Sequence, residues 1–291
     1  MELVTEARCV ADVRALLGEG PVWVLAEQAL YWVDIKGKRI FRLSEGDELC
    51  EWEAPFQIGA LVPRLAGGFF AGTDQGLADV DLAAQSFTIF CNPEADRPSN
   101  RFNDGKVDRE GRYWAGSMDD EERVASGALY RISADRSWAR CDDKYRVANG
   151  PAFSPDGRVM YHNDSARQLT YVFDLDEWGT PSNRRVFSSF EKGEGYPDGM
   201  TVDGEGCLWI AFWDGWCLRR FSPAGERLAT LRLPVQRPTS CAFGGEALDH
   251  LYVTSARVGL SDAALNAQPC AGGLFVLETG VSGLAELPFA G

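Results

Sequence analysis

The chain has 291 residues, 45% hydrophobic and 11% aromatic, enough apolar surface for a large core and too much for a disordered chain. Its formal net charge of -14 argues against nucleic acid or an anionic membrane as partner, because long-range repulsion opposes both. No apolar run reaches about 18 residues, Met1–Glu6 lacks the basic and apolar regions of a signal peptide, and the eight cysteines form no close pairs; a cytoplasmic protein with reduced thiols is expected.

Residues 7–17 carry a short apolar stretch, Cys9-Val10-Ala11 with Val13, ahead of a pattern that then recurs six times. Each copy has a head residue followed in most cases by glycine, a short strand, a tight turn, and an aromatic inside an apolar run. The copies run from Glu19-Gly20 to Tyr31, Ile58-Gly59 to Phe69, Asp104-Gly105 to Tyr113, Asn149-Gly150 to Tyr161, Asp198-Gly199 to Trp209, and Thr239-Ser240 to Tyr252. Their heads lie 39, 46, 45, 49 and 41 residues apart. A period of this size, with several short strands per unit, is the signature of a β-propeller. The fold class expected is all-β, a six-bladed propeller forming one domain over residues 1–291. A ring must close, so residues 7–17 are assigned to the sixth blade.

Within the first copy, Leu30-Tyr31-Trp32-Val33-Asp34 and Arg39-Ile40-Phe41-Arg42-Leu43 alternate as antiparallel strands. Glycines at 67, 68, 111, 157, 204 and 206 supply the hairpin turns. Three longer segments, 92–102, 118–126 and 259–273, read as irregular. The last holds a short helix with Ser261 as N-cap.

The first strand of each blade lines the central channel. Its head residues therefore form a ring: Glu19, Ile58, Asp104, Asn149, Asp198 and Thr239. Five of these six offer an oxygen to a common centre, and three are acidic. Turn capping accounts for any one of them, but three acids facing one another raise each other's pKa, a penalty that a bound cation removes. Only two histidines exist, His162 and His250, and there is no G-x-S-x-G elbow, phosphate loop or zinc spacing. An oxygen-lined site for one divalent cation remains; hard ligands suit Ca²⁺, Mg²⁺ or Mn²⁺ and also admit Zn²⁺ or Fe²⁺.

The runs Gly18-Glu19-Gly20-Pro21-Val22-Trp23, Arg101-Phe102-Asn103-Asp104-Gly105-Lys106, Ala115-Gly116-Ser117-Met118, Asn149-Gly150-Pro151-Ala152-Phe153 and Tyr196-Pro197-Asp198-Gly199-Met200 resemble the SMP-30/gluconolactonase family. The resemblance spans residues 18–273. It implies one divalent cation, Ca²⁺ first, held by Glu19, Asn149 and Asp198, with substrate contacts from Arg101, Asn103 and Glu121. It also implies hydrolysis of a sugar lactone, such as glucono-, xylono-, arabino- or galactonolactone, to its aldonic acid. Asp198 is then the candidate general base and Asp104 the alternative. A regulatory calcium-binding protein and a metal-dependent phosphoester hydrolase are the competing readings. Phe102, Tyr196, Trp213 and Trp216 are expected near the channel mouth.

Overall fold

The computed structural model describes residues 6–291; Met1–Thr5, in the stretch inspected for a leader, lie outside them. Among the described residues, 24 strands form six antiparallel four-stranded sheets. The innermost strands are Gly18–Val24, Ile58–Pro63, Asn100–Val107, Ala148–Phe153, Tyr196–Val202 and Pro238–Gly244. Each touches the next in cyclic order and the last touches the first, so the sheets are the blades of a six-bladed β-propeller. The segment Arg8–Ala11 pairs antiparallel with Leu274–Glu278 as the outermost strand of the sixth blade.

The hydrophobic core lies between blades. Each of six apolar clusters is built from two neighbouring sheets, as where Tyr31 and Ile40 of the first blade meet Phe69 and Ala71 of the second. Trp209 and Leu218 of the fifth likewise pack on Phe243 and Phe275 of the sixth. Burial of each such side chain contributes about 1.5–3 kcal/mol, which explains the aromatic in every repeat. In the fifth blade that aromatic, Trp209, also bonds to a turn, and in the third blade the residue after it, Trp114, does the same. Trp114 Nε1 donates to Asp108 Oδ2 at 2.8 Å, and Trp209 Nε1 to Asp203 Oδ2 at 2.8 Å. Each aspartate's other oxygen accepts two turn amides. Trp114→Phe or Trp209→Phe is expected to cost about 1–3 kcal/mol, since a buried carboxylate oxygen loses a donor. Urea unfolding would measure this; an unchanged midpoint would mean that the indole only fills volume.

All six innermost strands break register at the same place. The slips fall at Glu19/Val22, Ile58/Ala60, Phe102/Asp104, Asn149/Ala152, Pro197/Met200 and Pro238/Ser240. A bulge re-aims a side chain, and every head residue of the repeat sits in one. The glycine that follows is required by crowding at the axis. A Cβ on Gly199 would lie 2.1 Å from Ser240 Oγ, and one on Gly59 2.5 Å from the Phe102 carbonyl oxygen.

Two expected irregular segments are shorter than the sequence reading had them. Asn100, Arg101 and Phe102 pair with Asp119, Met118 and Ser117, extending the third blade's hairpin past its bulge. That extension carries Arg101 into the channel. The third segment does hold a helix, Asp262–Ala267, whose Ser261 hydroxyl accepts the Ala264 amide at 3.3 Å. At one end of the channel the C-terminal run lies across the blades. Phe289 is fully buried, its amide bonding to Pro63 O at 2.8 Å, and the Ala290 amide bonds to Gly111 O at 2.9 Å. No helix among the described residues is long and apolar enough to cross a membrane.

Candidate metal and substrate site

The bulges place Glu19, Asn149 and Asp198 on one cavity of about 520 Å³ that also exposes Arg101, Asn103 and Asp120. All three of the first set are at least 95% buried. Burial, then the charges of Asp198 and Asp104, push the Glu19 carboxyl well above the usual carboxylate range. Burial and the Asp104 charge do the same to Asp198. Two carboxyls driven up in this way, beside a carboxamide oxygen, form a hard-oxygen donor set that fits a divalent cation. Among the described residues no three His, Cys, Asp or Glu side chains form a metal cluster, so Asn149 would have to serve as the third donor.

A line of hydrogen bonds fixes that third donor. Asn149 Nδ2 donates to Ser165 Oγ at 2.8 Å, and Asn149 Oδ1 accepts Asn103 Nδ2 at 2.7 Å, keeping a second lone pair free. Asn103 Oδ1 accepts Arg101 Nη1 at 2.6 Å, and Arg101 Nε is paired with Asp120. Lys36 Nζ reaches the same Asp120 oxygen at 2.7 Å. Against the cost of burial, Lys36 and Arg101 hold the Asp120 carboxyl below its ordinary value. The wall is thus charged, and each of its polar side chains is tied to the next.

Asp104 has a different place. Its Oδ1 accepts the Gly105 amide at 2.7 Å and its Oδ2 the Gly150 amide at 2.8 Å. Burial raises it to about 6, against those two amides and Lys106. It lines a separate cavity of about 20 Å³ on the far side of the ring, near the Lys106–Glu286 ion pair, and is not on the large cavity. Its two amide bonds instead brace the backbone beside Asn149. Glu121 is also outside: its side chain is 68% exposed and pairs with Arg123 at 3.1 Å. The neighbours Asp120 and Glu122 line the cavity in its stead. Tyr196 and Trp213 lie on the cavity wall, whereas Trp216 does not and Phe102 is buried in the core between the second and third blades. Neither histidine lines the cavity; His162 is buried against the Tyr145 ring, and burial lowers it to about 3.

Several residues that shape the cavity escaped the sequence reading. Asp34, closing the strand Ala29–Asp34, accepts the amides of Leu16 and Leu17 at 2.9 Å each, just before Glu19. Asp164, closing Val159–Asp164, accepts those of Arg146 and Val147 at 3.2 and 3.3 Å, just before Asn149. Each sets where an innermost strand enters the ring. The signal available was an aspartate ending the second apolar run of its repeat. Lys36, Asp120, Arg146 and Ser165 carry no such pattern.

Residues 17–257 match the family model for the SMP-30/Gluconolactonase/LRE-like region. Regucalcin from Danio rerio is 40% identical over 292 residues, covering 98% of this chain and 99% of the relative. The 6-deoxy-6-sulfogluconolactonase of Pseudomonas putida is 37% identical, covering 98% of both. The crystal structure of a calcium-binding protein, regucalcin, from Agrobacterium tumefaciens superposes with a TM-score of 0.94 at 29% identity, covering 98% of this chain and 97% of the other.

Proposed function

Because the chain belongs to the SMP-30/gluconolactonase/LRE-like family, we propose that its large cavity hydrolyses a sugar lactone, opening an aldonolactone to the aldonic acid. The observation that carries this reading is the convergence of Glu19, Asn149 and Asp198 with the Arg101–Asn103 line on one cavity.

Asp198 is the general base. Its carboxyl is buried, so its affinity for a proton is already raised, and it faces a cavity wide enough for substrate and water together. Water adds through oxygen to the ester carbonyl carbon and gives a proton to Asp198. The bond from that carbon to the ring oxygen then breaks, the proton returns to the departing oxygen, and the ring opens to a hydroxy acid. Arg101, fixed by Asp120 and Asn103, presents its guanidinium to the sugar hydroxyls. A divalent cation held by Glu19, Asn149 and Asp198, Ca²⁺ first, would supply Lewis acidity at the ester carbonyl. A purely regulatory calcium-binding role would leave the Arg101–Asn103 wall without a task.

The test is acid release from δ-gluconolactone and from xylono-, arabino- and galactonolactones, corrected for spontaneous opening. Acceleration of any of them supports the reading; turnover of a phosphotriester with no lactone accelerated would overturn it. Two neighbouring substitutions separate the wall from the surface. Asp120→Asn frees Arg101 and is expected to raise KM about tenfold, the size of one lost charge-assisted bond. Glu121→Gln should move KM by less than about twofold, because an exposed ion pair contributes little. Equal effects of the two would refute the placement of Arg101 by Asp120.

A further inference from the structure

We propose that Arg146 selects lactones carrying an oxyanion, a phosphate or a carboxylate, on the carbon remote from the ester; this rests on the lactonase reading above. Setting aside Glu19 and Asp198, the donors of the cation site, the charged side chains on the cavity are Lys36, Arg101 and Arg146 against Asp120 and Glu122. That is a surplus of one positive charge inside a protein of formal net charge -14. Repulsion by the acidic surface would discourage an anion, so the gathering of three cationic side chains on this one cavity needs its own explanation.

The three cations are not equivalent. Lys36 and Arg101 are both tied to Asp120. Arg146 has no carboxylate partner among the described residues. Its side chain makes one bond, Nε to the Glu122 carbonyl oxygen at 3.1 Å, while its own amide is held by Asp164 Oδ2 at 3.2 Å. Neither Nη group has a hydrogen-bond partner among the described residues, on an exposed side chain of the cavity wall that is anchored at Nε. A guanidinium so presented matches an oxyanion with two parallel hydrogen bonds.

Placement agrees with charge. Arg146 lies three residues before Asn149, a chain span of at most about 11 Å, and lines the same cavity. With its ester over Asn149 and Asp198, a six-carbon lactone would have its far carbon free to reach along the same wall to Arg146. A neutral hydroxymethyl there gains one weak bond; an oxyanion gains two charge-assisted ones.

The experiment has two arms on wild type and Arg146→Gln, both in Ca²⁺. The first compares kcat/KM for δ-gluconolactone, 6-phospho-δ-gluconolactone and glucaro-1,4-lactone. The second measures calorimetrically the affinity for 6-phosphogluconate and for glucarate against gluconate, which needs no turnover. Wild type is expected to prefer one anionic lactone, and 6-phosphogluconate or its carboxylate counterpart glucarate over gluconate, by about tenfold or more, and Arg146→Gln to remove most of that ratio with its melting temperature retained. Which anion is favoured tells phosphate from carboxylate. Ratios near unity in wild type, or ratios that the substitution leaves intact, would overturn the assignment. A binding preference that Arg146→Gln removes, with no lactone turned over, would sustain the anion site and sink the lactonase reading alone.

Discussion

Asp198→Asn is expected to lower kcat for lactone opening by roughly 10²- to 10⁴-fold, the usual contribution of a positioned general base. Asparagine keeps the shape of the side chain, and the backbone there is held independently: Asn163 Nδ2 donates to the Asp198 carbonyl oxygen at 2.6 Å, and Asn163 Oδ1 accepts the Thr170 hydroxyl at 2.6 Å. The fold should therefore survive. What is lost is the proton acceptor and one anionic donor of the cation site, so the rate must be measured at saturating cation. Because burial penalises the Asp198 charge, the cation-free variant should melt at or above the wild-type temperature at neutral pH. Full rate in Asp198→Asn would remove the residue from the mechanism. A collapse in melting temperature would make its role structural.

Without cation, the protein is expected to lose stability as pH rises from 5 to 8. Glu19 is pushed well above the ordinary carboxylate range by burial and then by the charges of Asp198 and Asp104, Asp198 likewise by burial and then by the charge of Asp104, and Asp104 by burial to about 6. A carboxyl whose pKa is higher folded than unfolded binds its proton more tightly in the native state. Its contribution to stability is complete below the unfolded value and is lost as pH rises through the folded one. Each unit of elevation corresponds to about 1.4 kcal/mol. A divalent cation reverses the sign by matching the carboxylates. At a hundred times its Kd it stabilises the fold by about 2.7 kcal/mol, and the gain should be larger at pH 8 than at pH 5, because protons compete for the donors. Thermal melts with EDTA and with Ca²⁺ across that range decide the matter. A cation-free melting temperature that is flat or rising, or a gain larger at pH 5, would contradict a buried carboxylate pair.

The blades were legible in the sequence because their cause is repeated six times. Each aromatic fills the seam between two sheets, and from the second blade to the sixth the turn before it carries a glycine at positive φ. The ring was legible for a related reason: the innermost strands approach so closely at the axis that a Cβ on Gly59 or Gly199 would collide with the next strand, which ties the head residue to the glycine after it. The cavity wall carries no such constraint. In the run Asp119-Asp120-Glu121-Glu122 the composition is uniform while the fates differ. Asp119 turns inward to accept the Arg123 amide at 2.7 Å, Asp120 faces Arg101, Glu121 points to solvent, and Glu122 lines the cavity with its backbone at a φ of 57°. A bend at one residue sets all four, and no periodicity announces it. Asp104 shows the converse limit. Its repeat position puts it in the ring correctly, but only its bonds to the Gly105 and Gly150 amides show that it braces the site from behind.

The most direct test of the central claim is hydrolysis of an aldonolactone panel by cation-stripped protein, before and after adding back Ca²⁺, Mg²⁺, Mn²⁺, Zn²⁺ or Fe²⁺ singly. Acceleration over spontaneous opening that appears only with a cation, and is lost in Asp198→Asn, is the predicted result. A folded protein that binds cation yet accelerates no lactone would contradict it.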